Sequence, residues 1–497
     1  MGIIRREGAL SSVVIYLGIV LGFVLSLFVY PKYLATEEIG LIRVLLDLSG
    51  IIVPFMLLGV QNTYVKYHPY FKNSPDQLGA FQLLSMLIPG LGAVLGLGVF
   101  YILKPFLIST VASNSPLLVE YIDWLPALIF MISGAKLIRA YFRSEFNIPI
   151  SNFYESIFLR LGYITTVLVY FYLDLGVQWL VYLFILTYAL VFISMIISYL
   201  SRNTVRINSN FKAIDKEKRR EVFSYGLFAI LNVLSGSMII KIDSWMISSL
   251  AGLGATGIYA IALALGNVIE LPRKSITQIS VPVISNSWKN GNMANIRDIY
   301  HRTSLNQFIA SGLIFTLVWL NIQDLFDLIP NGDVFRQGVW VVFFIGLAKI
   351  FSSATGINNE ILLVSDHYRY SLAIRLLLVV TAIITNLYFI PIYGITGAAL
   401  ATSISILSNN LLLFLFVWVK LKMQPFKVDN LYALIWLSLI FFVAWLVPIE
   451  FDYPLINIVM RSALILVMFV FIVMRMRFSE DLKEMVLLSL KKVGIKL

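Results

Sequence analysis

Residues 386–403 read NLYFIPIYGITGAALATS and join two long apolar stretches of the chain. Pro391 and Gly394 predict a turn of a few residues between these stretches. The second stretch opens almost entirely with small residues, namely Gly394, Gly397, Ala398, Ala399, Ala401 and Ser403. Small side chains let helix backbones approach closely inside a bilayer. This part of the chain therefore predicts a tightly packed helical hairpin in a membrane protein.

The composition of the whole chain indicates the same class. The 497 residues are 59% hydrophobic and 13% charged, and apolar runs of about 20 residues, the length needed to cross a bilayer, recur from end to end. The chain contains no cysteine, which excludes disulfides and thiol chemistry. Its three histidines fall in predicted loops, so we expect no metal site and no cofactor. We predict an all-α polytopic membrane protein.

Fourteen apolar segments predict fourteen transmembrane helices. They lie near residues 10–30, 39–62, 80–103, 121–139, 153–173, 177–200, 222–242, 254–272, 303–321, 337–357, 370–390, 395–419, 430–448 and 455–475. When the connecting loops are assigned alternately to the two sides, most of the 38 Lys and Arg residues fall on one side. Since cytoplasmic loops collect Lys and Arg, we expect both termini to be cytoplasmic. The net charge of +11 then reflects topology and attraction to anionic lipid headgroups rather than binding of nucleic acid.

The first twelve spans divide into two related groups of six. Gly40 and Gly257 follow the turns that open the second and eighth spans, and Gly176 and Gly394 open the sixth and twelfth at nearly the same offset. Such repeats frame a central pathway in transporters, so we predict two pseudo-symmetric six-helix lobes. The predicted division is an N-lobe of spans 1–6 (residues 1–200), a cytoplasmic linker (201–221), a C-lobe of spans 7–12 (222–419), a C-terminal span pair (420–478) and a cytoplasmic amphipathic helix (479–497).

Three stretches of the chain resemble one family of transporters. GINNEILLVS (356–365) and NLYFIPIYGITGAALATSIS (386–405) are similar to the signature of Wzx-type oligosaccharide flippases, the polysaccharide transporter branch of the MOP exporter superfamily. KIDSWMISSLAGLGATGIYAIA (241–262) resembles the junction of that family's seventh and eighth spans.

The resemblance implies a MATE-like MOP fold in the bacterial inner membrane. It also implies translocation of an undecaprenyl-pyrophosphate-linked oligosaccharide from the cytoplasmic to the outer leaflet by alternating access, as in O-antigen biosynthesis. Polysaccharide polymerase and assembly proteins are the partners that it implies.

A pyrophosphate requires cations within the membrane, where ionisable groups are costly and usually face a cavity or a partner. The substrate-binding candidates are Arg160, Lys349, Arg375 and Arg43. Arg160 and Arg375 occupy nearly equivalent repeat positions and could together grip a pyrophosphate, with snorkelling to the interface as the alternative. Lys349 is the deepest cation. Arg43 precedes Asp47 by four residues, so a self-neutralised pair is the alternative to a ligand site.

Three acidic residues are candidates for coupling to a proton or Na⁺ flux, namely Asp47, Glu155 and Glu270. The sequence does not select among them.

Two other classes of function stay open at this point. A MATE-type cation-coupled multidrug exporter would share the architecture, but is expected to favour intramembrane acids over cations. A membrane-embedded polysaccharide-processing enzyme is expected to carry a large extracytoplasmic loop with catalytic Arg or His, and no such loop is predicted here. The chain has no Walker-type phosphate loop, so direct use of ATP is not expected.

Overall fold

The computed structural model describes residues 2–145, 147–205, 207–475, 481–484 and 487. Every regular element in these ranges is a helix. The α-helices of the first half are α1 (Gly2–Val24), α2 (Tyr30–Tyr33), α3 (Thr36–Leu57), α4 (Val60–Phe71), α5 (Pro75–Val111), α6 (Pro116–Tyr121), α7 (Leu125–Ser144), α8 (Ile148–Phe153), α9 (Leu159–Tyr172), α10 (Val177–Leu200) and α11 (Lys216–Leu250).

The remaining α-helices are α12 (Leu253–Asn267), α13 (Leu271–Lys289), α14 (Met293–Leu320), α15 (Ile322–Leu328), α16 (Gly332–Phe335), α17 (Val339–Ala354), α18 (Asn358–Val364), α19 (Tyr368–Leu421), α20 (Val428–Leu446) and α21 (Pro454–Arg475). Two π-helical segments, Leu25–Val29 and Tyr154–Phe158, and four 3₁₀ turns, Ile122–Trp124, Phe211–Ala213, Val268–Glu270 and Arg336–Gly338, connect some of them.

Eleven helical stretches in the described part of the chain are long and apolar enough to cross a bilayer. The protein is therefore a multi-pass helical membrane protein, as predicted. The number fourteen is not confirmed. The predicted fifth and seventh spans, 153–173 and 222–242, lie in helices outside these eleven stretches, and the predicted spans 370–390 and 395–419 share one stretch, Tyr368–Leu421.

The hairpin predicted around Gly394 is present within that stretch. Gly394 has φ 55° and ψ −133°, a conformation that glycine alone adopts readily, and it divides α19 into two helices. The Thr385 hydroxyl lies 3.5 Å from the Ala401 carbonyl oxygen, although a straight helix would place these residues about 24 Å apart. The chain therefore reverses at Gly394. A Cβ on Gly397 would lie 2.0 Å from the Phe389 carbonyl oxygen, so a small residue permits this close approach.

Two glycines of the predicted repeat meet at one helix crossing. A Cβ on Gly40 of α3 would lie 2.0 Å from the Leu253 carbonyl oxygen, and a Cβ on Gly257 of α12 would lie 2.0 Å from the Thr36 carbonyl oxygen. Thr36 and Leu253 occupy equivalent positions relative to the two glycines, so the contact is reciprocal, as in an interface around a two-fold axis. The repeat-equivalent starts of α3 and α12 therefore pack directly against each other.

The second predicted span, 39–62, is broken rather than continuous. Leu58 and Gly59 have positive φ values of 46° and 74°, and α3 ends and α4 begins at this point. A Cβ on Gly59 would lie 2.3 Å from the Gly226 carbonyl oxygen of α11, so a glycine is required for both the turn and the contact. Irregular backbone at membrane depth is tolerated where it is buried in protein or lines a cavity.

The chain forms two compact units, Met1–Ala260 and Ile261–Leu497, with the boundary inside α12. The core of the first unit lies between α3 and α7, around Leu41 and Leu125. The second unit has several apolar clusters, and one of them packs α14 against α20 around Ile309.

The predicted lobes, linker and C-terminal span pair stay predictions. The amphipathic helix predicted at 479–497 lies outside the described residues except for 481–484 and 487.

Candidate functional site

In the first unit, charged side chains of α3 and α11 form a cluster around Asp47. The Asp47 carboxylate is buried and lies 2.6 Å from the Arg43 Nε and 3.1 Å from the Lys241 Nζ. The Ser244 hydroxyl donates a hydrogen bond to the same carboxylate at 2.6 Å. The pairing of Arg43 with Asp47 is therefore present, with Lys241 as a second cation. Two cations face one carboxylate, so the cluster has an excess of positive charge.

Arg160 and Glu155 lie beside the π-helical segment Tyr154–Phe158, between α8 and α9. The Arg160 Nη1 donates to the Ser156 carbonyl oxygen at 2.7 Å and to the Glu155 carbonyl oxygen at 3.3 Å. The Glu155 carboxylate forms an ion pair with Arg139 of α7 instead. π-Helical turns are frequent at functional sites because they displace the backbone from the regular hydrogen-bond pattern.

Three tyrosines lie within electrostatic range of the Arg160 guanidinium. Tyr30, Tyr163 and Tyr188 all lie close enough to interact with it electrostatically, and the Tyr163 hydroxyl donates a hydrogen bond to the Tyr188 hydroxyl. Arg160 is half-buried. Its guanidinium is therefore held by backbone carbonyl oxygens rather than by a carboxylate.

In the second unit, three cations surround Glu270 at the start of α13. The Glu270 carboxylate lies 2.6 Å from the Lys349 Nζ of α17, and 3.5 Å from both the Arg273 Nη1 and the Lys274 Nζ. The Lys349 and Glu270 side chains are only 16% and 14% exposed. The sequence predicted Lys349 as a substrate cation and Glu270 as a coupling group, and the structure joins them in one ion pair. The cluster again contains more cations than carboxylates.

Arg375 lies in the first part of α19 and interacts electrostatically with Glu360 of α18. The Glu360 Oε2 atom is buried and has no hydrogen-bond partner within the described part of the chain. The Ser371 hydroxyl donates to the Asn359 Oδ1 at 2.9 Å, which ties α18 to α19 beside this pair. Arg160 belongs to the first unit and Arg375 to the second, so binding of one pyrophosphate by both guanidinium groups stays a prediction.

Sequence reasoning missed Lys241, Arg273 and Lys274 as members of these clusters, because they lie at the ends of predicted spans. Arg273 and Lys274 follow Glu270 by three and four residues, a spacing that places them on one helix face and is visible in the sequence. Lys241 has no such signal, since it is 194 residues from Asp47. Across the residues that the structure describes, no three His, Asp or Glu side chains come together as a metal site.

The sequence matches the model of a protein family described as "Polysaccharide biosynthesis protein" over residues 4–288. A comparison with curated proteins gave no match.

Several solved structures are similar to the chain as a whole. The lipid II flippase MurJ, in an inward closed conformation, is 14% identical, with a TM-score of 0.74 over 93% of this chain and 98% of that chain. A multidrug resistance transporter of the MATE family and MOP superfamily, in an inward-facing conformation, is 15% identical, with a TM-score of 0.64 over 80% and 94%. A MOP superfamily transporter from Pyrococcus furiosus is 14% identical, with a TM-score of 0.53 over 84% and 96%. At these identities the likeness concerns the fold, and the predicted MATE-like MOP fold is confirmed.

Proposed function

The chain belongs to the polysaccharide biosynthesis protein family, and from this premise we propose that it is a flippase for a lipid-linked glycan. The substrate in this proposal is an undecaprenyl-pyrophosphate-linked oligosaccharide. It moves from the cytoplasmic to the outer leaflet of the bacterial inner membrane by alternating access, with both termini of the protein in the cytoplasm. Polysaccharide polymerase and assembly proteins would act on the translocated glycan.

The observation that carries this proposal is the family match in a chain with the fold of the MOP superfamily. Solved structures with this fold are a lipid II flippase and MATE-family transporters, so family and fold are those of a transporter rather than of a polysaccharide-processing enzyme.

A multidrug exporter would share the fold, so the fold does not distinguish the two transporter functions. The charge of the clusters around Asp47 and Glu270 does distinguish them. Both intramembrane clusters, around Asp47 and around Glu270, contain more cations than carboxylates. An excess of cations attracts an anionic pyrophosphate and disfavours a cationic drug. The charge distribution therefore supports the glycan flippase.

Glu270 and Lys349 suggest how substrate binding is linked to coupling. A pyrophosphate at Lys349 would replace the Glu270 carboxylate as the partner of the ammonium group, since phosphate oxygens also accept charge-assisted hydrogen bonds. The displaced Glu270 carboxylate could then take up a proton or Na⁺. In this proposal the ion pair exists in the substrate-free protein and opens when the substrate binds.

The test replaces the two partners singly and together, and measures flipping of lipid-linked oligosaccharide in proteoliposomes. Lys349→Met should lower flipping at least about tenfold, because a hydrogen bond to a charged group contributes ~1.5–3 kcal/mol. The double variant Lys349→Met/Glu270→Gln removes one charge of each sign, so the net charge of the cluster is unchanged, and it should stay as inactive as Lys349→Met. Lys289→Met is the matched control, since Lys289 is exposed at the end of the same helix α13 and outside the cluster, and it should stay within about twofold of wild type.

Recovery of flipping in the double variant would mean that Lys349 only neutralises Glu270 and does not contact the substrate. A wild-type protein that extrudes cationic drugs but does not flip the glycan would refute the flippase itself.

A further inference from the structure

The first unit contains an apolar cavity of about 370 Å³ that the proposed substrate site does not use. It lies where the second span is broken, between α4, the start of α5 and the first part of α11. Its lining includes Leu58, Tyr64, Phe81, Leu84 and Val222. This volume is within the ~300–1,000 Å³ range of small-molecule sites.

Arg219 gives this cavity one charged end. It is the one charged side chain among the described residues that line the cavity. The Arg219 Nε atom is buried and has no hydrogen-bond partner in the part of the chain that the structure describes. The neighbouring Glu221 carboxylate already accepts hydrogen bonds from Lys218 at 2.7 Å and from the Tyr67 hydroxyl at 3.0 Å. Because a buried N–H group without an acceptor is costly, an added acceptor at Arg219 would complete the site.

The cavity is elongated and apolar with a charge at one end, so it fits an amphipathic ligand. Its lining runs along α11 from Arg219 to Ile230, about 17 Å at ~1.5 Å per residue. Phe223 and Leu227 of its lining are one helical turn apart and are 65% and 51% exposed, so the cavity reaches the protein surface along α11. The charged end lies at the start of α11, in the basic segment 201–221 that is predicted to be cytoplasmic.

We propose that this cavity binds one anionic phospholipid of the cytoplasmic leaflet. The phosphate accepts hydrogen bonds from the Arg219 guanidinium, and one acyl chain fills the space between α4, α5 and α11. A phosphodiester with a single negative charge matches a single guanidinium, whereas a pyrophosphate has more negative charge than one arginine neutralises. The bound lipid supports the crossing at which Gly59 of the broken span contacts Gly226 of α11.

The experiment measures lipid retention by native mass spectrometry of the purified full-length protein, with phosphatidylglycerol and phosphatidylcholine as probes. Wild type should retain phosphatidylglycerol in preference to phosphatidylcholine. Arg219→Gln should lower retention of phosphatidylglycerol at least about tenfold, the effect of losing a charge-assisted hydrogen bond. Arg220→Gln is the matched control, because it removes the same charge from the adjacent exposed residue outside the cavity lining, and retention should change less than about twofold.

A second variant tests the apolar part of the site without changing the charge. Val222→Trp fills the cavity and should lower retention while the thermal unfolding temperature of the lipid-free protein is maintained. Arg219→Lys keeps the positive charge and should retain part of the lipid binding, because it loses only the paired N–H donors of the planar guanidinium.

Three results would overturn the proposal. Equal retention of the two lipids would mean that no phosphate charge is recognised, and equal losses in Arg219→Gln and Arg220→Gln would reduce the effect to general surface charge. Displacement of phosphatidylglycerol by equimolar undecaprenyl phosphate would make the occupant the polyprenyl chain of the substrate. Glycan flipping by the same variants in phosphatidylcholine vesicles is measured separately, so failure of this proposal is distinguishable from failure of the flippase.

Discussion

The crossing of α3 and α12 makes a quantitative prediction about two glycines. At Gly40 a Cβ would lie 2.0 Å from the Leu253 carbonyl oxygen, and at Gly257 it would lie 2.0 Å from the Thr36 carbonyl oxygen. Real Cβ contacts are essentially never shorter than 3.0 Å, so either Gly40→Ala or Gly257→Ala must separate the two backbones by about 1 Å.

The magnitude follows from packing at this buried crossing. Overpacking a core lowers the free energy of unfolding by about 1–3 kcal/mol, whereas replacement of a helical glycine by alanine raises it by about 0.5–1 kcal/mol. Each single variant should therefore lose about 1–2 kcal/mol of unfolding free energy. Both contacts belong to one crossing, so one displacement of α3 from α12 relieves both clashes. The double variant Gly40→Ala/Gly257→Ala should therefore lose little more unfolding free energy than either single variant. The coupling free energy should then be about −1 to −2 kcal/mol.

Reversible unfolding of the purified protein in detergent measures all four corners of this double-mutant cycle. Gly96→Ala is the control, since no atom lies within 4 Å of its Cβ position, and it should be neutral or stabilising by up to about 1 kcal/mol. Additive losses at Gly40 and Gly257 would refute the reasoning, because they would mean that the two glycines do not share one crossing.

Two further predictions concern alternating access and pH. A Cβ on Gly254 would lie 3.3 Å from the Thr36 Oγ1, so Thr36→Cys/Gly254→Cys should form a disulfide in this cysteine-free chain. The disulfide should stop glycan flipping until reductant is added, and each single variant is a control. Undiminished flipping by the fully cross-linked protein would show that this crossing does not open during transport. The contact with His68 lowers the pKa of Glu145 in the folded protein. The stabilisation of the fold by this contact is therefore complete above the ordinary carboxyl pKa of about 4.3 and is lost as pH falls through the lower folded pKa. The difference in thermal unfolding temperature between wild type and Glu145→Gln should shrink below that pH, and a constant difference would contradict this role of Glu145.

Part of the fold and of the site could be predicted because the responsible forces act locally along the chain. The hairpin at Gly394 follows from a glycine conformation and a run of small residues, and both are visible in the sequence. The pairing of Arg43 with Asp47 follows from a four-residue spacing on one helix face.

The break of the second span could not be predicted in the same way. Leu58 and Gly59 occupy an apolar run, and the left-handed backbone there depends on the contact of Gly59 with Gly226, far away in the chain. Hydrophobicity and length indicate a span, but they do not reveal where another helix will cross it. The cavity beside this break was missed for the same reason.

By itself the sequence determined that this is a helical membrane protein and predicted a repeated architecture, since the length of apolar runs, the placement of Lys and Arg and the positions of glycine are properties of the chain alone. Only the tertiary structure decided which charges share a site. Lys349 and Glu270 are 79 residues apart, and Lys241 and Asp47 are 194 residues apart, yet each pair lies within hydrogen-bonding distance. Such partners are selected by helix packing, because an ionisable group inside the membrane needs a counter-charge and only the folded arrangement of helices determines which one it finds.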